Sequence, residues 1–110
     1  MKLSEYQIQS ARTLKRDNEL REQLLECSLA LAGEVGALVD HIKKHAFHGH
    51  ELDLDYLKKE LGDIMWYTAA MATVNFESLD EIADINIDKL LKRYPTGFSE
   101  ADSRNRVEYE

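Results

Sequence analysis

One cysteine, one proline and five glycines are all that the 110-residue chain holds of the residues that staple, break or loosen a backbone. The single thiol, Cys27, cannot close an intramolecular disulfide, which excludes a disulfide scaffold and fits a reducing compartment. Its expected place is that of a small buried apolar residue. Pro95 comes late in the chain, so long helices are the default up to it. No apolar run approaches the roughly 18–20 residues of a membrane span, and no signal-peptide core stands near the N-terminus. A soluble, cytoplasmic protein without a membrane partner is the expectation. Basic charge is also short: 14 Lys and Arg against 21 Asp and Glu give a net charge of −7. That argues against a nucleic-acid surface, which needs a basic field. It leaves a nucleotide ligand open, because a divalent cation reverses the local sign.

What is present is helical periodicity. The 44% hydrophobic content suffices for one core, and 110 residues suit one domain. Ser4 with Gln7 reads as a capping box opening a first helix over residues 5–16, with Asp17-Asn18 ending it. A second helix is expected from about Glu19 to Ala46, and a third from Leu54 to Val74 with Asp53 as its N-cap. Ser78 with Glu81 opens a fourth, running to about Arg93 before Pro95 and Gly97. Residues 99–110 read as a polar tail beyond a single all-α domain spanning 1–98. Four helices with short connections predict an antiparallel, bundle-like fold. Helix three carries more apolar surface ("IMWYTAAMA") than a small bundle covers, which predicts a homodimer or a dimer of dimers. Gly33 and Gly36 weaken the interior of helix two by about 1 kcal/mol each, which suggests close packing or room for a ligand.

Three carboxylates stand where apolar surface belongs. Glu34, in "AGEVGALVD", shares a helix face with Leu24, Cys27, Leu31, Leu38 and Ile42. Glu60 and Asp63, three apart in "KKELGDIMWY", point to one patch. Burying them without partners is costly, so a basic side chain or a metal must compensate them. Hard divalent ions such as Mg²⁺ prefer oxygen ligands and share their sites with phosphates. Spacing alone leaves solvated faces and salt bridges open.

These residues resemble the MazG-like, all-alpha nucleoside triphosphate pyrophosphohydrolases, whose signature is E-x-x-E, a spacer, then E-x-x-D. "LALAGEVGALVDHIKK" (29–44) is similar to the first half and "ELGDIMWYTAAMA" (60–72) to the second. "SLDEIADINIDKLLKRYPTGFS" (78–99) resembles the closing helix with its N-x-x-K-x-x-x-R-Y-P pattern. The resemblance implies Mg²⁺, with Mn²⁺ as an alternative, held by Glu34, Glu60 and Asp63 as metal ligands and catalytic groups. It implies hydrolysis of a nucleoside or deoxynucleoside triphosphate to the monophosphate and pyrophosphate, by attack of water on the α-phosphorus. Lys43, Lys44, Asn86, Lys89, Arg93 and Tyr94 are then the expected substrate-binding residues. For the lysines, plain solvation at a helix C-terminus is the rival reading.

The pattern breaks once. The second glutamate of the signature falls on Ala37, whose methyl group can neither ligate a cation nor take a proton. Asp40 lies about 120° round the helix from Glu34, a poor substitute. Two rival readings follow: a relative that binds nucleotide or metal with weakened catalysis, or a helical dimerisation module whose carboxylates pair with Lys89 and Arg93. Trp66 and Tyr67 are expected in the core or an interface, with base stacking as the alternative. His41 and His45 have the i, i+4 spacing of zinc ligands, but "IKK" lies between them, and a surface cluster that protonates on acidification is expected.

Overall fold

A computed structural model describes residues 1–16 and 18–106, and within them the chain is helical with no strand. The elements are α1 (Leu3–Ala11), α2 (Leu20–His48), α3 (Leu54–Val74), α4 (Leu79–Arg93) and α5 (Glu100–Arg104). No helix is long and apolar enough to cross a membrane.

The frame is an antiparallel pair of α2 and α3. Its register runs backwards along the two helices. His41 stacks on Tyr56, Glu34 meets Glu60 and Asp63, and Leu24 and Leu31 lie beside Thr68, Met71 and Ala72. The turn between them works as the sequence requires. Gly49 takes the left-handed conformation (φ 73°) and its N–H donates to the Lys44 carbonyl, closing α2. The Asp53 carboxylate then accepts from the Tyr56 N–H at 3.0 Å and opens α3. At the far end Ser78 Oγ accepts from the Glu81 N–H and opens α4.

α1 lies across the ends of α3 and α4, where Tyr6 packs on a small core of Ala69, Ala72 and Leu79. Gln7 is the clamp. Its amide donates to Thr73 Oγ1 (3.2 Å) and to the Glu77 carbonyl (2.8 Å), and its oxygen accepts from the Leu79 N–H (2.9 Å). The expected Ser4–Gln7 capping box is therefore not formed. The helix starts two residues earlier, at Leu3, where the Lys2 N–H donates to the Glu5 carboxylate. α1 also stops at Ala11 rather than running to residue 16. Thr13 Oγ1 donates to the Ser10 carbonyl, and Trp66 Nε1 donates to both that carbonyl and Thr13 Oγ1. Side-chain bonds to the backbone thus displace the next helical turn. The expected role of Asp17 lies outside the described residues.

A Cβ at Gly33 or Gly36 would meet nothing within 4 Å, so of the two alternatives expected for them close packing is not met within the chain and open space is. Part of the expected tail forms the one-turn helix α5, capped by Ser99 Oγ accepting from the Asp102 N–H.

The chain is open. Its radius of gyration is 17.1 Å, against about 13 Å for a compact chain of this length. Its accessible surface is 8381 Å², against about 6,200 Å² for a compact monomer of this mass. Among the described residues the buried apolar side chains are few and half are alanines, while Leu25, Leu29, Val35, Val39 and Ile42 of α2 stand in the open with Ile85, Ile87 and Leu91 of α4.

Candidate metal centre

The antiparallel register brings the three carboxylates together. One oxygen from each of Glu34, Glu60 and Asp63 lies within 4.8 Å of the others, with Glu34 and Glu60 half-buried and Asp63 exposed. The i, i+3 spacing sets Glu60 and Asp63 on one edge of α3, and α2 supplies Glu34 opposite them.

Like charges this close raise the cost of ionising both. Glu34 shows it: its carboxyl is pushed above the usual carboxylate range, first by a hydrogen bond with Glu60, then by burial, then by the Glu60 charge. Glu60 Oε2 is shielded from solvent and has no hydrogen-bond partner. A shielded acceptor on a carboxylate that has two others close by calls for a proton or a cation. An all-oxygen donor set suits a hard divalent ion better than a thiophilic one. The residues present therefore fit such an ion.

The surroundings come from Thr13, which carried no signal in the sequence, and from Trp66 and Tyr67, for which base stacking was the alternative to a place in the core. Thr13, Trp66 and Tyr67 line the groove that opens onto Glu34 and Asp63. Those three residues also border an adjoining hollow that reaches Gln23, Cys27 and Ala30. Trp66 crosses Tyr67 edge to face, ring centroids 5.0 Å apart, while its N–H is taken by α1. Tyr6 and Tyr56 bracket the acids. Burial, followed by the Asp63 charge, raises the Tyr6 phenol; burial, then the charges of Glu60 and Glu34, raises that of Tyr56.

The segment that carries all three acids falls within a known sequence pattern. A family model described as the MazG nucleotide pyrophosphohydrolase domain matches residues 22–98. The chain belongs to the MazG family. A curated relative, the "Gene 37 protein" of Mycobacterium phage L5, is 30% identical over 89 residues, covering 77% of this chain and 78% of the relative. No solved structure matches the chain.

In this MazG-family chain, the residue in the second signature position of the first motif, Ala37, is half-buried and brings no oxygen. Asp40 does not replace it. Its carboxylate is held by Lys44 Nζ at 2.8 Å and Lys43 Nζ at 3.1 Å, which lower it to about 2. Lys43 and Lys44 thus stand past the acid cluster on α2, already tied to a carboxylate. Asn86, Lys89, Arg93 and Tyr94 lie on α4 and at its end, and none of them lines the groove at Glu34 and Asp63. Arg93 Nε is buried without a hydrogen-bond partner, and the guanidinium carbon lies 5.9 Å from the Tyr94 ring centre. A Glu60–Arg93 pairing through Oε2 and Nε is therefore not made within the subunit. Among the described residues the histidines form no metal-capable group; His41 and His45 are spent on the loop between α2 and α3.

Proposed function

We propose that this chain is a Mg²⁺-dependent nucleoside triphosphate pyrophosphohydrolase, with Mn²⁺ able to substitute, yielding the monophosphate and pyrophosphate. The observation that carries the reading is the convergence of Glu34, Glu60 and Asp63, of which Glu60 also carries a shielded, unpartnered oxygen. Glu34 and Glu60 hold the cation from opposite helices, and Asp63 holds it at the exposed mouth where substrate arrives. When bound, the ion supplies charge neutralisation on phosphate oxygens and a lowered pKa for water. The Thr13–Trp66–Tyr67 wall orients the nucleoside beside it, with the two aromatic rings as the surfaces on which a base stacks. Lys43 and Lys44 outnumber Asp40 by one charge and supply a net positive field one to two turns from Ala37. For Asn86, Lys89, Arg93 and Tyr94 the support is the resemblance of their segment and the unpartnered Arg93 Nε.

The working form is a cytoplasmic homodimer or dimer of dimers, supported by the excess surface and the exposed apolar faces of α2 and α4. Its task is the removal of excess or damaged nucleotides. The test is pyrophosphate release from a panel of ordinary and modified triphosphates with Mg²⁺, comparing the protein with Glu60→Gln. Equal release by both sinks the enzymatic reading.

Ala37 favours a second reading, a relative that binds without efficient turnover, since neither Ala37 nor Asp40 provides the fourth ligand. Ala37→Glu separates the two. A large rate gain over a silent parent supports weakened catalysis; an unchanged rate means three acids suffice.

A further inference from the structure

His41 has one ring nitrogen committed in a way that fixes its protonation. The backbone N–H of Asp53 donates to His41 Nε2 at 3.1 Å. An imidazolium has two N–H donors and no acceptor, so this bond exists only while the ring is neutral and carries its proton on Nδ1. One turn along the same helix, His45 has the opposite requirement. Its Nδ1 lies 2.8 Å from the His50 carbonyl, a bond in which the ring donates and which survives protonation. Two histidines thus fasten the same short loop, and acid undoes only one of the fastenings.

What His41 fastens matters for the acid cluster. Asp53 is the N-cap of α3, and its carboxylate accepts from the Tyr56 N–H. The Tyr56 ring rests on the His41 ring, centroids 4.7 Å apart and tilted by 37°. Glu60 follows one turn after Tyr56, and Asp63 one turn later. We propose that neutral His41 is a positioning residue that pins the first turn of α3, and through it the Glu60–Asp63 edge, and that its protonation releases that turn.

The groups around His41 set the balance. His50, Glu51, Asp53 and Asp55 line the open hollow beside it, Tyr56 covers its ring, and Asp40, Lys44 and His45 neighbour it on α2. Asp40 and Lys44 are occupied with each other. Once His41 is a cation, the Asp53 N–H faces an N–H, and the carboxylates open to the new charge are those of the loop. Among them is Asp53 itself, and any turn of its carboxylate toward His41 competes with the Tyr56 N–H that its Oδ1 now accepts. Both changes loosen the start of α3.

The pinning claim rests on the fold, and its reach to Glu60 and Asp63 rests on the metal-site reading above, so the two are measured separately. Long-range proton–nitrogen NMR of the unaltered protein at pH 7.5 should show His41 protonated on Nδ1; protonation on Nε2 overturns the proposal without any variant. Amide exchange at residues 53–57, corrected for the intrinsic pH dependence, should rise about fivefold from pH 7.5 to 5.5, the worth of one ordinary hydrogen bond. His41→Gln keeps an acceptor that does not titrate and should stay flat, whereas His45→Gln should keep the rise. An equal rise in the unaltered protein and His41→Gln overturns the pinning. Mg²⁺ titration by calorimetry at the same two pH values reads the reach: the affinity should fall further in the unaltered protein than in His41→Gln. An equal fall overturns the reach to the acids. No Mg²⁺ binding by either at pH 7.5 overturns the metal reading instead, and the exchange arm still decides His41.

Discussion

Replacing Gln7 with alanine tests how the fold directs α4, the helix that carries Asn86, Lys89 and Arg93. The wild-type side chain makes three hydrogen bonds, at 3.2, 2.8 and 2.9 Å, to three successive features of the α3–α4 corner. Phe76 sits in that corner at φ 57°, a conformation a non-glycine residue holds only under constraint. An ordinary hydrogen bond is worth about 1 kcal/mol net, and a buried N–H left without a partner costs about 1–3 kcal/mol. Leu79 is buried, so its N–H falls in the second class, while the bond to Glu77 is exposed and is discounted. Gln7→Ala should therefore cost about 2–3 kcal/mol and lower Tm by roughly 10 °C or more. The measurement is thermal unfolding followed by far-UV circular dichroism, at fixed protein concentration because association would add stability. Gln7→Glu sharpens it. The carboxylate still accepts from Leu79 but turns an acceptor toward the Glu77 carbonyl, so its deficit should shrink when acid restores a donor. A Tm drop below about 3 °C for Gln7→Ala would show that the corner holds without the clamp.

Other outcomes follow from the same geometry. With EDTA present, Glu34→Gln should unfold at a higher temperature than the unaltered protein at pH 7.5. The Glu34 carboxyl is raised by Glu60, so its stabilising contribution is present in acid and lost as pH rises through the raised value; the gap between the two proteins should close toward pH 4.5. No gap at pH 7.5 would mean the carboxylates are too well solvated to repel. The Asp40–Lys44 contact should persist throughout that range, because a carboxyl lowered to about 2 loses its contribution only as pH falls below about 4; carboxyl carbon shifts in an NMR titration check this. Trp66→Phe removes the donor shared by Ser10 and Thr13 and should cost about 1 kcal/mol, read by urea unfolding.

Local rules made much of this legible before any coordinates. α3 spans Leu54–Val74 as its apolar pattern predicts, and Asp53 and Ser78 cap as their spacing predicts, because these signals act within one turn. The meeting of Glu34 with Glu60 and Asp63 followed from two long helices joined by a short turn. Choices settled by tertiary partners were hidden. Gln7 looked like a capping residue, yet the open N–H of Leu79, 72 positions away, claims it. Thr13 beside the groove had no local signature, and the end of α1 is decided by a tryptophan 53 positions on. Tyr56 had a weak signal, its i, i+4 relation to Glu60. The glycines of α2 pointed either to close packing or to room for a ligand, and within the chain they border open space.

The outward side of α2 has a consequence for how the chain reaches its final state. Leu25, Leu29, Val35, Val39 and Ile42 run along a helix whose partner within the subunit covers only the other side. In the association proposed above, such a chain gains much of its burial only on meeting another, and acquisition of structure becomes second order. Refolding should slow on dilution, and the last kinetic phase should scale with the number of chains per unit volume.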